Sequence, residues 1–294
     1  LTAARGKTKM PTVERAGETW VCRICGNTVR VTAAGGGELI CCGGPMSRAE
    51  QTMTTTVTQG GSTMNEQANR LPLIGEKAPS FEAETTQGKI SFPGDYAGKW
   101  VIFFSHPADF TPVCTTEFMT FASMADEFKA LDCELLGLSI DSTYSHIAWL
   151  RTIKEKIEYR GMKNVEVNFP VISDLTMDVA KAFGMLQPSA STTQAVRAVF
   201  IIDPNAVVRA ILYYPLSNGR NMQEIKRMLI AMQHSDEFGI ATPANWEIGD
   251  DVIIPPPGSC GTAKDRVEGA GGDYTCLDWF LCLKKCPHGK KHKA

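Results

Sequence analysis

Long apolar runs are missing from this chain of 294 residues. Stretches such as 100–104 and 199–202 fall far short of the roughly 20 apolar residues that a membrane-spanning helix needs. No apolar stretch of the kind found in an export signal stands near the start, so the expected location is the cytoplasm. An excess of charge is missing too. Thirty Lys and Arg face 32 Asp and Glu, for a formal net charge of −2, which argues against nucleic acid or a membrane surface as the main partner. No internal repeat is found, which sets aside a solenoid. A hydrophobic content of 43% is ordinary for a globular protein.

What the chain does have is sulfur. Its ten cysteines form three groups: four between Cys22 and Cys42, two standing apart at Cys114 and Cys133, and four near the end at Cys260, Cys276, Cys282 and Cys286. Without an export signal, such clusters read as metal or redox sites before structural disulfides. Cys133, alone in an apolar stretch, reads as a small buried hydrophobe.

Composition divides the chain into a small cysteine-bearing domain at 13–48, a flexible linker at 49–70, a larger domain at 71–237, and an arm and tail at 238–294. The linker is rich in Thr, Gly, Ser, Gln and Asn and cannot bury enough surface to offset ordering. As a random coil it would span about 25 Å. In the larger domain, strands are expected at 99–105, 134–140, 169–172, 198–202 and 206–213. Helices are expected along Phe118, Phe121, Met124 and Phe128, at 145–157, at 174–183 with Gly184 as the stop, and at 222–232. Strands alternating with helices, then a hairpin and a closing helix, predict an α/β sandwich around one mixed sheet.

The stretch Ser105-His106-Pro107-Ala108-Asp109-Phe110-Thr111-Pro112-Val113-Cys114-Thr115-Thr116-Glu117 follows an expected buried strand and opens a helix. Backbone N–H groups and the helix dipole favour an anion there, and the thiolate is the nucleophilic form of cysteine. Thr111 is close enough in sequence to donate a hydrogen bond to the thiolate or to a substrate oxygen, while Pro107 and Pro112 stiffen the loop. Pro107, Thr111 and Cys114 match the Pro-x-x-x-Thr-x-x-Cys signature of peroxiredoxins. Residues from Leu71 to about Cys282 resemble the one-cysteine-like subfamily with its long archaeal members.

That resemblance implies a thioredoxin-like fold and a thiol peroxidase reducing hydrogen peroxide and small organic hydroperoxides. It gives the attack to Cys114, contact with sulfur and peroxide to Arg197, and supporting roles to His106, Glu117 and Arg220. Cys114 would become a sulfenic acid and then a disulfide. The run Tyr274-Thr275-Cys276-Leu277-Asp278-Trp279-Phe280-Leu281-Cys282 resembles the C-terminal arm of the long members. This implies Cys282 as resolving thiol across a dimer interface, with Cys276 as its possible partner, Cys286 as a further thiol nearby, and Trp279 and Phe280 as anchors on the partner subunit.

In the small domain, Cys22-Arg23-Ile24-Cys25 and Cys41-Cys42 can bring four thiolates into a tetrahedral sulfur site suited to zinc or iron. Zinc ribbons usually repeat the two-residue gap, and here the second pair has none. The unit closely resembles desulforedoxin and the N-terminal domain of desulfoferrodoxin, which implies one iron held by Cys22, Cys25, Cys41 and Cys42, with zinc as the other option. The histidine-rich catalytic centre of superoxide reductases has no counterpart here. The combined expectation is a peroxidase that forms a homodimer or a higher ring, with the iron as its electron donor. The alternative is a structural metal module combined with an external thioredoxin-like or rubredoxin-type reductant.

Overall fold

The computed structural model describes residues 12–22, 24, 28–48 and 71–287. These fall into two compact units, one within residues 1–64 and one within 65–294. Cys25, the expected linker and the basic residues closing the chain lie outside the described residues.

The small unit is built on short strands: β1 (Thr19–Val21), β2 (Thr28–Arg30), β3 (Ile40–Cys41), β4 (Gly44–Pro45) and β5 (Ser47–Arg48). β1 lies between β2 and β5 in an antiparallel sheet, and β3 pairs with β4. Cys42 and Gly43 link β3 to β4 with φ of 52° and 75°. Positive φ at both central residues is what a tight hairpin turn of matching twist requires, and it is uncommon at a residue other than glycine. Trp20, fully buried, packs with Val13, Cys22 and Met46 in a small core.

The large unit opens with a hairpin, β6 (Phe81–Thr85) and β7 (Gly88–Phe92), and continues through β8 (Trp100–Ser105), α1 (Pro112–Ser123), α2 (Ala125–Ala130), β9 (Cys133–Ser139), α3 (Thr143–Lys156), β10 (Val171–Ser173), α4 (Asp178–Ala182), β11 (Arg197–Ile202), β12 (Val208–Tyr214) and α5 (Met222–Phe238). The strands form one mixed sheet in the order β12-β11-β8-β9-β10-β6-β7, with β8, β9 and β10 parallel. Every residue of β8 is buried. Trp100, Ile102 and Phe104 enter a core shared with α1, α3 and α5, while Val101 and Phe103 enter one shared with α4 and the opening hairpin. That is the period-two alternation of a strand covered on both faces.

The arm beyond α5 carries further elements. β13 (Val252–Ile254), α6 (Cys260–Glu268), β14 (Tyr274–Asp278) and β15 (Leu281–Lys284) follow, with the strands in the order β13-β15-β14. Trp246 and Val252 join the core of α1, α3 and α5.

Several expected boundaries moved. The helix through Phe118 and Phe128 breaks at Met124, which caps both α1 and α2. The expected strand 169–172 becomes β10, and the expected helix 174–183 begins only at Asp178, because Asp174 stays outside and accepts hydrogen bonds from the N–H groups of Val179 and Ala180. Gly184 ends that segment at φ 62°, where a Cβ would also fall 2.4 Å from Leu71 Cδ1. The helix read as 222–232 runs on to Phe238, because buried His234 packs on Trp246 and Phe238.

Candidate functional site

The sheet and α1 bring one cysteine into a cage of charge. Thr111 is the N-cap of α1 with extended backbone, Pro112 follows at the first helical position, and Cys114 sits in the first turn, fully buried and unbonded to other sulfur. Proline suits that position because its missing N–H would have no helical partner. Just before the cap, Phe110 has φ 55° and is exposed, so the chain turns sharply into the helix. Pro107 is buried at the start of this loop.

Arg197, at the start of β11, reaches across the sheet, and its Nη1 donates to Cys114 Sγ at 3.2 Å and to Glu117 Oε2 at 2.8 Å. Its Nε and Nη2 both donate to the Leu216 carbonyl, which fixes the plane of the guanidinium. Arg220 grips the other side of the carboxylate: Nε donates to Glu117 Oε1 at 2.9 Å and Nη2 to Oε2 at 2.7 Å. Arg220 Nη1 is shared between the Ser105 and Ala198 carbonyls, and its guanidinium lies over the Phe104 ring. Burial pushes the Glu117 carboxyl up, but the charge and hydrogen bonds of Arg220, with the charge of Arg197, overcome it and hold the group below its ordinary value. Two buried guanidinium groups thus share one carboxylate. The remaining positive charge faces the sulfur, where it stabilises negative charge on sulfur or on an oxygen beside it.

Thr111 departs from expectation. Its hydroxyl donates to the Ala108 carbonyl at 2.8 Å, so its one proton is engaged within the loop and its oxygen is left as an acceptor. His106 is fully buried, its ring stacked on Trp149 and edge-on to Phe118. Its Nε2 lies 2.9 Å from Asp109 Oδ1, and the same carboxylate receives His146 of α3. Sequence reasoning passed over Asp109 and His146. Asp109 stands three residues past His106, a local signal that could have been used, but nothing local ties His146 to it across 37 positions.

The resolving thiols expected in the tail are not brought to Cys114 within one chain. Cys276 and Cys282 face each other across the β14–β15 hairpin and are joined by a disulfide, with Cys282 buried and Cys276 half-buried. Leu277, Trp279 and Phe280 are exposed at the hairpin's end. Cys286 packs against the main core, where burial pushes its thiol up. Burial does the same to Cys133, as suits a packed, unreactive sulfur.

In the small unit, Cys22, Cys41 and Cys42 gather with their sulfurs within 4.8 Å of one another. The Cys41 and Cys42 sulfurs are 3.8 Å apart. Four sulfurs placed about 2.3 Å from a central ion form a tetrahedron with edges of about 3.8 Å. The donor set therefore fits a soft metal held by thiolates, with Cys22 buried and Cys42 exposed.

Comparison with known proteins matches this division. Residues 74–211 match the AhpC/TSA family, 231–269 the C-terminal domain of 1-Cys peroxiredoxin, and 14–48 the desulfoferrodoxin N-terminal domain. A peroxiredoxin of Methanosarcina mazei is 68% identical over 215 residues, covering 73% of this chain and 98% of the relative. One from Archaeoglobus fulgidus is 52% identical, covering 73% of this chain and 99% of its own. Among solved structures, a yeast mitochondrial 1-Cys peroxiredoxin matches with TM-score 0.63 and 37% identity, covering 73% of this chain and 100% of that one. A mutant of peroxiredoxin 6 from Arenicola marina matches with TM-score 0.63 and 31% identity, covering 74% of this chain and 99% of that one.

Proposed function

The chain belongs to the peroxiredoxin family, and from that premise we propose that Cys114 is its peroxidatic nucleophile and that the chain reduces hydrogen peroxide and small organic hydroperoxides. The observation that carries the residue assignment is the 3.2 Å contact from Arg197 Nη1 to Cys114 Sγ at the N-terminus of α1. Cys114 thiolate attacks one peroxide oxygen, the O–O bond breaks, and sulfur keeps the hydroxyl as a sulfenic acid while water or an alcohol leaves. Arg197 supplies positive charge beside the sulfur and the departing oxygen, held in place by Glu117 and Leu216. Arg220 anchors Glu117, and Pro107 and Thr111 shape the loop.

Resolution falls to Cys282, from a second copy in a homodimer or ring. Its thiol condenses with the sulfenic acid and releases water; Cys276 then attacks the Cys282 sulfur, frees Cys114, and closes the Cys276–Cys282 disulfide. That disulfide is present in the hairpin. Because Cys114 is fully buried, the condensation requires the first turn of α1 to open.

The small unit is read as an iron site of four cysteines, with Cys25 as fourth ligand beside Cys22, Cys41 and Cys42. An iron bound there supplies one-electron redox chemistry, which makes it the electron donor favoured for a fused peroxidase in the cytoplasm. Returning a disulfide to two thiols takes two electrons, so one such centre per chain needs a second copy or an outside donor. The alternative is a structural metal module, with an external thioredoxin-like reductant acting on Cys276–Cys282.

The test of the nucleophile is a single turnover of reduced protein with one equivalent of peroxide, with a 1,3-diketone trap and mass spectrometry. The adduct should form on Cys114 and accumulate in Cys282→Ser. An adduct on another cysteine sinks the assignment. The test of the donor is stopped-flow absorbance of the prereduced iron protein mixed with peroxide. Reoxidation as fast in Cys114→Ser as in the unaltered chain favours the structural alternative.

A further inference from the structure

Helix α3 meets the peroxidatic segment at two points, one on each side of Cys114. His146 and Trp149 stand three positions apart on α3, and residues at that spacing share a helix face. Both are buried. His146 Nδ1 lies 2.8 Å from Asp109 Oδ2, ahead of the nucleophile. Trp149 Nε1 donates to Thr115 Oγ1 at 3.2 Å, directly behind it.

The first point is held hard. The Asp109 carboxylate also meets His106 Nε2 at 2.9 Å. The Asp109 main-chain N–H donates to Asp141 Oδ2 at 2.9 Å, and Ser139 donates to the same oxygen. Burial pushes the Asp109 carboxyl up, but hydrogen bonds with the two histidines outweigh it and hold the group well below the usual carboxylate range. Drawing it away from them would strand a buried charge, which is a costly step.

The second point is a single neutral hydrogen bond, a weaker tie, but it governs the first turn of α1. An indole N–H only donates, so the Thr115 oxygen is the acceptor and its proton is left to point elsewhere. It points back to the Thr111 carbonyl at 2.8 Å, the same carbonyl that the Thr115 main-chain N–H reaches at 3.0 Å. The chain Trp149 to Thr115 to Thr111 thus closes the turn that carries Cys114, and each bond in such a chain strengthens the next. Between the two points the segment 110–114 has few ties. Phe110 and Pro112 are exposed. Among the described residues, its side chains bond only to the Ala108 carbonyl, through Thr111, and to Arg197, through Cys114.

We propose that Trp149 is a positioning residue for the disulfide-forming step: through Thr115 its indole N–H latches the first turn of α1 and sets how often Cys114 is exposed to the resolving thiol, while Asp109 stays fixed and bounds the opening. The proposal rests on resolution of the Cys114 sulfenic acid by Cys282. In that step the Cys282 sulfur attacks the Cys114 sulfur. The S–S bond forms as the S–O bond breaks, and the hydroxyl leaves with the Cys282 thiol proton as water.

The experiment measures exposure and condensation separately, both in full-length protein. Cys114 is fully buried when reduced, so its rate of alkylation by N-ethylmaleimide reports opening. The rate is taken at the plateau of its pH profile and located on Cys114 by mass spectrometry. Trp149→Phe keeps a ring and removes the donor, and should raise that rate about three- to tenfold, the net size of one hydrogen bond. Thr115→Val removes the acceptor and should do the same, whereas Thr115→Ser keeps the hydroxyl and should stay within about 1.5-fold of the unaltered chain. With the acceptor already gone, adding Trp149→Phe to Thr115→Val should change the rate by less than about 1.5-fold. Condensation is timed after one equivalent of peroxide in a Cys276→Ser background, where the Cys114–Cys282 bond persists. It should accelerate in Trp149→Phe by the same factor as alkylation. An alkylation rate unmoved in Trp149→Phe or in Thr115→Val, effects that multiply in full in the double variant, or faster alkylation without faster condensation would each overturn the proposal. Should Trp149→Phe fail to fold, the Thr115→Val and Thr115→Ser pair carries the same test. If the unaltered chain forms no Cys114–Cys282 bond, resolution by Cys282 fails instead, and the alkylation rates still decide whether the latch exists.

Discussion

Cys114 and the cysteines of the small unit are the same chemical group in opposite settings. Cys114 is a single thiol in a large core, with a guanidinium 3.2 Å away whose orientation is fixed by Glu117 and Leu216. Cys22, Cys41 and Cys42 are thiols facing one another, two of them 3.8 Å apart, in a unit whose core is little more than Trp20, Val13 and Met46. A lone thiolate whose counter-charge is a protein side chain keeps its lone pairs for a substrate, which is the condition of a nucleophile. Clustered thiolates repel, and a cation placed among them uses up the lone pairs of all of them, which is the condition of a metal ligand. Where the counter-charge comes from separates the two chemistries more than any property of the cysteine.

The largest effect expected from breaking this contrast is at Cys114. Cys114→Ser should abolish peroxide consumption and leave the metal content of the small unit unchanged. Residual consumption above about one-tenth of the unaltered rate would show that another thiol does the work. Next comes the counter-charge. Arg197→Met removes the one side chain that, among the described residues, donates to the sulfur, and should slow the first oxidation of Cys114 by about 10²–10³, the range for loss of one preorganised donor to developing charge. Arg197→Lys should recover only part of it, because an ammonium cannot hold the Leu216 carbonyl, Glu117 and the sulfur at once. A rapid-mixing rate for Arg197→Met within threefold of the unaltered chain would remove Arg197 from the site.

How much of this was legible in the sequence follows from the range of each interaction. Pro107, Thr111 and Cys114 lie within eight residues, and Cys41 and Cys42 are neighbours, so the local pattern carried the resemblances from which both candidate sites were named. The Cys276–Cys282 hairpin is likewise local. Arg197 was reached only through the resemblance, being 83 positions from the sulfur it touches. His146 was not reached at all, because its partnership with Asp109 exists only once β8 and α3 pack together. The hydrogen bond of Thr111 to the Ala108 carbonyl, three residues back, was not read, because no residue pattern announces it. The hairpin β6–β7 went unread because its apolar positions are few, and half-buried Phe81 finds its ring partners Phe92, Phe103 and Phe183 only in the folded sheet.

A smaller effect tests how the guanidinium pair is held. Glu117 is depressed by its two arginines, so its folded value lies below its unfolded one. A group of that kind contributes stability fully above its unfolded value and loses it as pH falls through the folded one. The large unit should therefore keep its Glu117 contribution at neutral pH and shed it only in acid, below the ordinary carboxylate range. Glu117→Gln leaves two buried guanidinium groups without their shared charge and should cost about 3–5 kcal/mol at pH 7. Denaturant unfolding of both proteins as a function of pH is the measurement. The gap between them should be widest at neutral pH and narrow as acid protonates Glu117. A gap that stays constant down to strongly acidic pH would mean the carboxylate's charge contributes nothing.

The smallest effect on peroxide should come from the other side of the comparison. Cys41→Ser replaces one soft ligand of the cluster with a hard hydroxyl, and sulfur-loving ions should be lost from the dialysed protein, read as metal per chain. If a metal bound by these sulfurs helps hold so small a unit, with its core built on one tryptophan, Trp20 should also become more exposed to a fluorescence quencher. Yet in the reaction proposed for reduced Cys114 with peroxide, the groups invoked are the sulfur, Arg197 and the carboxylate that orients it, all in the large unit. Its rate in Cys41→Ser should stay within about twofold of the unaltered chain, the usual size of effects between sites with no shared partners. Turnover sustained by an external dithiol should be equally insensitive, whereas turnover sustained through the metal site should cease. A loss of more than about fivefold in the first oxidation step would show that the clustered sulfurs influence the lone one before any electron is returned, and the separation of the two chemistries by their counter-charge would be incomplete.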